Sequence, residues 1–515
     1  MSSRSTSGLD SKKRWAYCLA ALCVLLASTV PVAAAQPSPK IYVILWFDTE
    51  DYILPASDDS AQHIAEFLSH EGIRATFKVV GEKARTLERR GRTDVIAALN
   101  RHEIGYHSNF HSTQPSPAMY CSNLGWDEGV AEFERRERPG YEDVKRIFGV
   151  TPSCYGQPGS SWAPQSYGAM KNWGMEVYLD AGRHVRLDDR PCYYCGVLNL
   201  YKLAFQLRAA LGGPKDLEVA EQQFVDARAK LLAEGGGIVS TIYHPCEFVH
   251  KKFWDGVNFR AGANPPRERW QVPPMKTREE SKAAFQVFEG YARFMKRFPE
   301  VEFITASQAA KQYRDLARHR TFTPADLKKI AAAVTENVSY QKHDDYTLSA
   351  SEVFTLLDQY VAERSAGRAP NSFALEATPY GPSDVVAPLK QAVSTDGSQF
   401  TRTAVDVADF LRKQGRIPPS VWLGSVAVPP EVFLQGLAQA TVDLVEGRPI
   451  RDNISLPPAR LAAADYVAAD DPGLWGWVIF PLGFRAPAMM ELAKRQAWTL
   501  KPALLQRQAP VDRRP

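Results

Sequence analysis

Between residues 40 and about 315, short apolar runs alternate with amphipathic ones, and this alternation limits the possible folds more than any other feature. "KIYVILWFD" is a β-branched, apolar run, and the stretch 61–71 after it has helical periodicity. "RATFKVV" is followed by a helical segment at 82–100, and "EIGYHS" by "EGVAEFERRERPGYEDVKRIFG", where Pro139 should interrupt the helix. "VTPSCYG", "MEVYLDAG", "GIVSTIYH" and "VEFIT" are further strand candidates, and "SKAAFQVFEGYARFMKRFP" is an amphipathic helix. Repeated strand–helix units with buried parallel strands imply an α/β fold, either a barrel or a doubly wound sheet.

A chain of 515 residues exceeds one ordinary domain. After about residue 318 the texture changes to helix-like pieces separated by proline-containing turns, beginning with the Thr–Pro start of "FTPADLKKIAAAVTENVS". The elements "GRAP", "GRIPPSV" and "EGRPI" recur there at unequal spacing, which excludes a regular solenoid. The expected organisation is a leader at 1–35, a (β/α) domain at 36–318, and a smaller, mainly helical accessory domain at 319–515 with two or three related units. Chance recurrence of a turn sequence is the alternative for those units.

The leader has a basic start (Lys12, Lys13, Arg14), an apolar run and small residues up to Ala35, the order of a secretory signal peptide. An uncleaved anchor is the alternative. Cleavage there leaves a net charge of +1 from the +4 of the whole chain, so nothing argues for nucleic acid or an anionic membrane surface. No other stretch approaches a membrane span. Five cysteines remain, Cys121, Cys154, Cys192, Cys195 and Cys246, an odd number that leaves at least one thiol without an intrachain partner. "CYYC" at 192–195 lacks the second CxxC of a tetrahedral zinc site and reads as a loop disulfide or two free thiols.

Candidate chemistry gathers where the strands end, because α/β sheets build their sites at the carboxyl ends of strands. "HSNFH" places His107 and His111 four residues apart, on one face of a helical turn and within reach of one metal ion. The first strand ends in "WFDTEDY" and delivers Asp48, Glu50 and Asp51, enough for one metal ligand and one general base. Asp180 and His244 end two later strands, and "CYGQPGSSW" adds a glycine–proline turn that could shape a wall. Trp126, Trp162 and Trp254 are either core residues or sugar-stacking platforms.

In this order, "FDTED", "HSNFH", "YGQPG", "YLDAG" and "IYH" resemble the five motifs of the polysaccharide deacetylase family (the NodB-homology domain) across about residues 40–315. The resemblance implies a distorted (β/α) barrel and a divalent metal, Zn2+ first, with Co2+ or Fe2+ as alternatives. It also implies Asp48 as base, His107 and His111 as metal ligands, and Glu50 or Asp51 as the third, with Glu50 favoured because it shares the Asp48 face of the strand. His244, oriented by Asp180, would protonate the departing amine. Backbone near Tyr155 and Gly156, in the turn closed by Pro158, would steady the oxyanion. The family's motif-three arginine is missing, with Tyr155 or Gly156 in its place and Arg183 as a candidate substitute.

The function implied is exported de-N-acetylation of a polysaccharide or peptidoglycan amino sugar. The alternatives are cyclic-amide hydrolysis of the allantoinase kind and a degraded glycan-binding domain. The "GRxP" elements faintly resemble cell-wall-binding repeats, which suggests wall contact through the accessory domain.

Overall fold

The computed structural model describes residues 38–201 and 203–506. The leader expected at 1–35 lies outside them.

Nine strands and a short terminal one form a single curled, largely parallel sheet, a distorted (β/α) barrel. The strands are β1 (Ile41–Thr49), β2 (Thr76–Val79), β3 (Glu103–Tyr106), β4 (Cys154–Tyr155), β5 (Val177–Leu179), β6 (Cys192–Tyr194), β7 (Val197–Leu200), β8 (Gly237–Tyr243) and β9 (Val301–Ile304). The sheet order runs from the terminal strand Lys501–Pro502 through β6, β7, β5, β4, β3 and β2 to β1 and β8. Along one edge of β1, β9 pairs with Ile41–Ile44 and β2 with Trp46–Thr49, and β8 runs along the other edge.

The two-residue alternation of β1 separates two cores. Tyr42, Ile44 and Trp46 join Cys154, Val177, Leu179, Leu198 and Leu200 on one face. Leu45 and Phe47 join the helix-packed face with Ile64, Leu68, Phe77 and Phe288. Burying side chains of this size is worth roughly 1.5–3 kcal/mol each, which pins the register that carries Asp48 to the site.

Two helical expectations change. Residues 82–100 form two helices, Gly81–Arg89 and Thr93–Leu99. The helix Trp126–Phe148 runs through Pro139 without a break. Proline removes one helical donor, but the neighbouring carbonyls find side chains: Tyr106 Oη donates to Glu137 O at 2.8 Å and Asn109 Nδ2 to Arg136 O at 2.9 Å. Tyr106 directly precedes the "HSNFH" loop and Asn109 lies within it, so the helix anchors that loop.

The five cysteines are all free and buried, so "CYYC" contains two thiols and no disulfide.

After residue 318 the helices Pro324–Ala332, Ala350–Ser365, Gly397–Gln414 and Pro430–Val445 share a core with Leu327, Phe354, Leu357, Phe400, Phe433 and Leu437. Three of these helices end at the recurring "GR" elements, where Gly367, Gly415 and Gly447 have φ of 75°, 61° and 73°. The recurrence is therefore the left-handed stop that ends a helix, a position glycine occupies without steric cost. From about residue 461 the chain returns to the barrel. Ala463, Val467, Leu474, Trp475, Phe480 and Met489 enter its helix-packed core, and Lys501–Pro502 pairs antiparallel with β6. Residues 319–506 thus divide between a helical cluster and a strap that completes the barrel.

Candidate active site

The carboxyl ends of β1, β3, β4, β5 and β8 meet at a cavity of about 600 Å³ lined by Asp48, Glu50, His107, Gln157, Asp180 and His244, among others, with His111 beside them. β1 supplies Asp48, and Glu50 follows just beyond its end. His107 follows β3 directly, but His111 reaches it by a route the sequence reading did not foresee. The "HSNFH" segment is a loop, and Ser108 and His111 hold φ of 68° and 55°. Left-handed backbone at two non-glycine residues costs energy and recurs where function fixes a geometry. It brings the two imidazole centroids to 5.1 Å.

Glu50, His107 and His111 each present a ligand atom, all within 4.8 Å of one another. Glu50 Oε2 lies 3.6 Å from His107 Nε2 and 2.8 Å from His111 Nε2. Both Nε2 atoms are buried and make no hydrogen bond. His107 Nδ1 donates to Gly156 O at 2.9 Å, because a carbonyl can only accept, so its Nε2 is left as a lone pair facing Glu50. His111 Nδ1 meets Ser112 Oγ at 2.8 Å. Trp254 Nε1 donates to the other oxygen of Glu50 at 3.2 Å. Burial would raise the Glu50 carboxyl, yet His111 and the neighbouring histidines hold it well below its ordinary range. Two imidazole nitrogens and an ionised carboxylate, each held from behind, are the donors a catalytic divalent ion takes, so the residues fit the implied metal.

Asp51 is directed elsewhere. Its Oδ1 accepts the amides of Ile53 and Leu54, and its Oδ2 lies 3.3 Å from His250 Nε2. The chain turns immediately after Glu50 and carries Asp51 out of the site, so the structure gathers Glu50 and not Asp51 with the histidines.

Asp48 lies beside the triad, with Oδ1 3.6 Å from His107 Nδ1 and Oδ2 3.7 Å from His244 Nε2. Burial raises its carboxyl, but His107, Lys78 and His244 together bring it below the ordinary value. His244 Nδ1 meets Glu247 Oε1 at 2.5 Å, and Arg208 grips the same carboxylate. Burial pushes His244 down, yet Glu50, Glu247 and Asp48 hold it raised at about 9. The orienting group for His244 is therefore Glu247, and the expectation for Asp180 is corrected. Asp180 instead pairs with Lys78 Nζ at 3.3 Å.

The motif-three turn also enters differently. The Gly156 amide already donates to Tyr106 O at 3.2 Å and is not free for an oxyanion. The Tyr155 ring belongs to the helix-packed core, and Gln157, Gly159 and Ser160, not Pro158, line the cavity. Gly156 contributes through its carbonyl, which sets the His107 tautomer. Arg183 lines the cavity but does not replace the missing arginine, since it donates to Gly473 O at 2.8 Å. The cation next to Asp48 is Lys78 on β2, 2.9 Å from Oδ1.

Trp126, Trp162 and Trp254 are all buried. Phe253 and, from the returning strap, the indole of Trp477 form the aromatic wall of the cavity. Trp477 Nε1 donates to Asp255 Oδ2 at 2.7 Å, the Trp477 amide to Ser160 Oγ at 3.1 Å, and the indole ring stands edge-on to His111 at 5.1 Å. Sequence reasoning missed Lys78, Glu247, Asp255 and Trp477. Only Lys78 left a clear signal, a charge inside the apolar run "TFKVV".

No protein-family model matches the chain, and no curated protein does. Solved structures do. One described as a polysaccharide deacetylase from Mycobacterium smegmatis shares 14% identity over 55% of this chain and 93% of its own, with a TM-score of 0.34. PuuE allantoinase shares 13% over the same proportions, also with a TM-score of 0.34. The Bc1960 peptidoglycan N-acetylglucosamine deacetylase shares 14% over 53% of this chain and 89% of its own, with a TM-score of 0.27. Polysaccharide deacetylases are thus among the structural neighbours of the barrel, at low overlap and identity.

Proposed function

We propose that the chain is an exported, metal-dependent de-N-acetylase acting on an amino sugar of a polysaccharide or peptidoglycan. The observation that carries this reading is the buried Glu50, His107 and His111 group set between the Asp48 carboxylate and the His244 imidazole. A divalent ion on those three residues, Zn2+ foremost, supplies Lewis-acid polarisation of an amide carbonyl and of a water molecule. Asp48, ionised beside Lys78, accepts the proton of the attacking water. His244, charged and fixed by Glu247, donates a proton to the amine nitrogen as the C–N bond breaks. Water and amide become acetate and a free amine; Asp48 then releases its proton to solvent and His244 takes one up, which restores both groups. Trp477 and Leu474 line the same cavity and give a sugar ring an apolar face to rest on. Export rests on the order of the leader residues. Wall contact through 319–456 rests only on the "GRxP" elements and belongs to the same proposal.

The test is acetate release from N-acetylglucosamine oligomers, chitin and peptidoglycan fragments, with allantoin in parallel. The reading expects acetate from at least one glycan and a large loss of rate, to a small residual, in its Asp48→Asn variant. Ring opening of allantoin without acetate release from any glycan would contradict it.

A further inference from the structure

Lys78 is fully buried, and the fold clears a path for it. β2 alternates Thr76 and Lys78 against Phe77 and Val79, which are in the helix-packed core. This alternation sends Lys78 to the opposite face, where its ammonium lies 4.3 Å from the Trp46 ring. In register, Lys78 sits between Asp48 on β1 and Gly105 on β3. A Cβ on Gly156 would come only 1.9 Å from Lys78 Nζ, and one on Gly105 would come 2.6 Å from Cys154 Sγ and 3.0 Å from Lys78 Cγ. Neither glycine has a positive φ, so neither is needed for backbone conformation. Both leave room that the lysine side chain fills. Its ammonium ends 2.9 Å from Asp48 Oδ1 and 3.3 Å from Asp180 Oδ2, and it donates to Leu179 O at 2.8 Å.

We propose that Lys78 is the positioning residue of the site: seated over Gly105 and Gly156 and anchored by Asp180 and Leu179 O, it fixes the Asp48 carboxylate in its reactive orientation. The inference rests on the reading of Asp48 as the base. Asp48 Oδ1 makes no hydrogen bond, so its 2.9 Å contact with Lys78 is an ion pair, and both histidine contacts are beyond 3.5 Å. The lysine is the one close, charged group on it. Asp180 anchors the opposite side of the ammonium and serves the base through Lys78 rather than through His244. A buried ammonium already held by Asp48, Asp180 and Leu179 O needs little reorganisation on reaction. A side chain at 156 and the lysine head compete for one volume, so a chain with a cation on β2 requires glycine after β4.

The test is a double-mutant cycle between Lys78→Met and Asp48→Asn on the full chain, reading kcat, KM and bound metal. Lys78→Met is expected to lower kcat at least tenfold, with KM and metal stoichiometry within twofold of wild type. On the Asp48→Asn background, the same substitution is expected to change the residual rate less than twofold, because the lysine acts through the aspartate. An equal fold-loss on both backgrounds, or full activity of Lys78→Met, overturns the proposal. If Lys78→Met does not fold, Lys78→Met/Asp180→Asn removes one charge of each sign, and the same kcat loss is expected of it. A wild type with no turnover on any acetylated glycan contradicts the hydrolase reading instead, which keeps the two failures distinct.

Discussion

His244 keeps its proton through three carboxylates that outweigh its burial, and Glu247 is the only one of them in hydrogen-bonding contact with the ring. A group raised to about 9 is charged at neutral pH and loses its proton as pH rises through that value, so the donor is lost on the basic side of the rate profile. Glu247→Gln keeps the hydrogen bond but removes a charge, and the basic limb of kcat/KM is expected to move to lower pH by about one unit or more. A basic limb that stays in place would place the proton elsewhere. At this scale, "FDTED", "HSNFH" and "IYH" were legible because each puts its functional residues within a few positions of a strand end. Glu247 lies just as near in sequence. It went unread because a short helical turn after β8, Pro245–Phe248, folds it back onto His244.

The elements explain why the remaining wall was invisible. Gly159 has φ of 51°, and a Cβ there would come 2.2 Å from the Trp477 ring. The loop after β4 and the strap residues near 477 therefore fit together only with glycine at 159. Gly159→Ala both strains the backbone and displaces the indole, a combined cost of roughly 2–4 kcal/mol. KM for a glycan oligomer is expected to rise several-fold while bound metal stays at the wild-type level. An unchanged KM would remove Trp477 from the binding wall. A contact between residues 318 positions apart has no local periodicity to announce it. The barrel strands, by contrast, were readable as apolar runs. Pro139 misled for a related reason, since the side chains that satisfy the helix lie in and just before the "HSNFH" loop.

The whole molecule does not divide at 318 as its change of texture suggests. Composition marks where helices replace strand–helix units, but it cannot show that the chain comes back. The strap returns Trp475, Phe480, Met489, Met490 and Leu492 to the barrel core and adds the strand beside β6. Losing even two such side chains costs about 4–10 kcal/mol, comparable to the whole stability of a domain. A chain ending at residue 460 is therefore expected to be insoluble or to lack a cooperative melting transition, as read by circular dichroism. A folded, active fragment of that length would show that the strap is dispensable. Among the described residues, no helix is long and apolar enough to cross a membrane.

The central claim is that Glu50, His107 and His111 hold a divalent metal used in hydrolysis. The most direct measurement is metal content of the purified protein by mass spectrometry, beside a His107→Ala/His111→Ala variant shown to be folded. The account predicts about one zinc, cobalt or iron per wild-type chain and almost none in the variant, with acetate release lost in parallel. A wild type that stays empty after incubation with each ion, or a variant that keeps its metal, would contradict it.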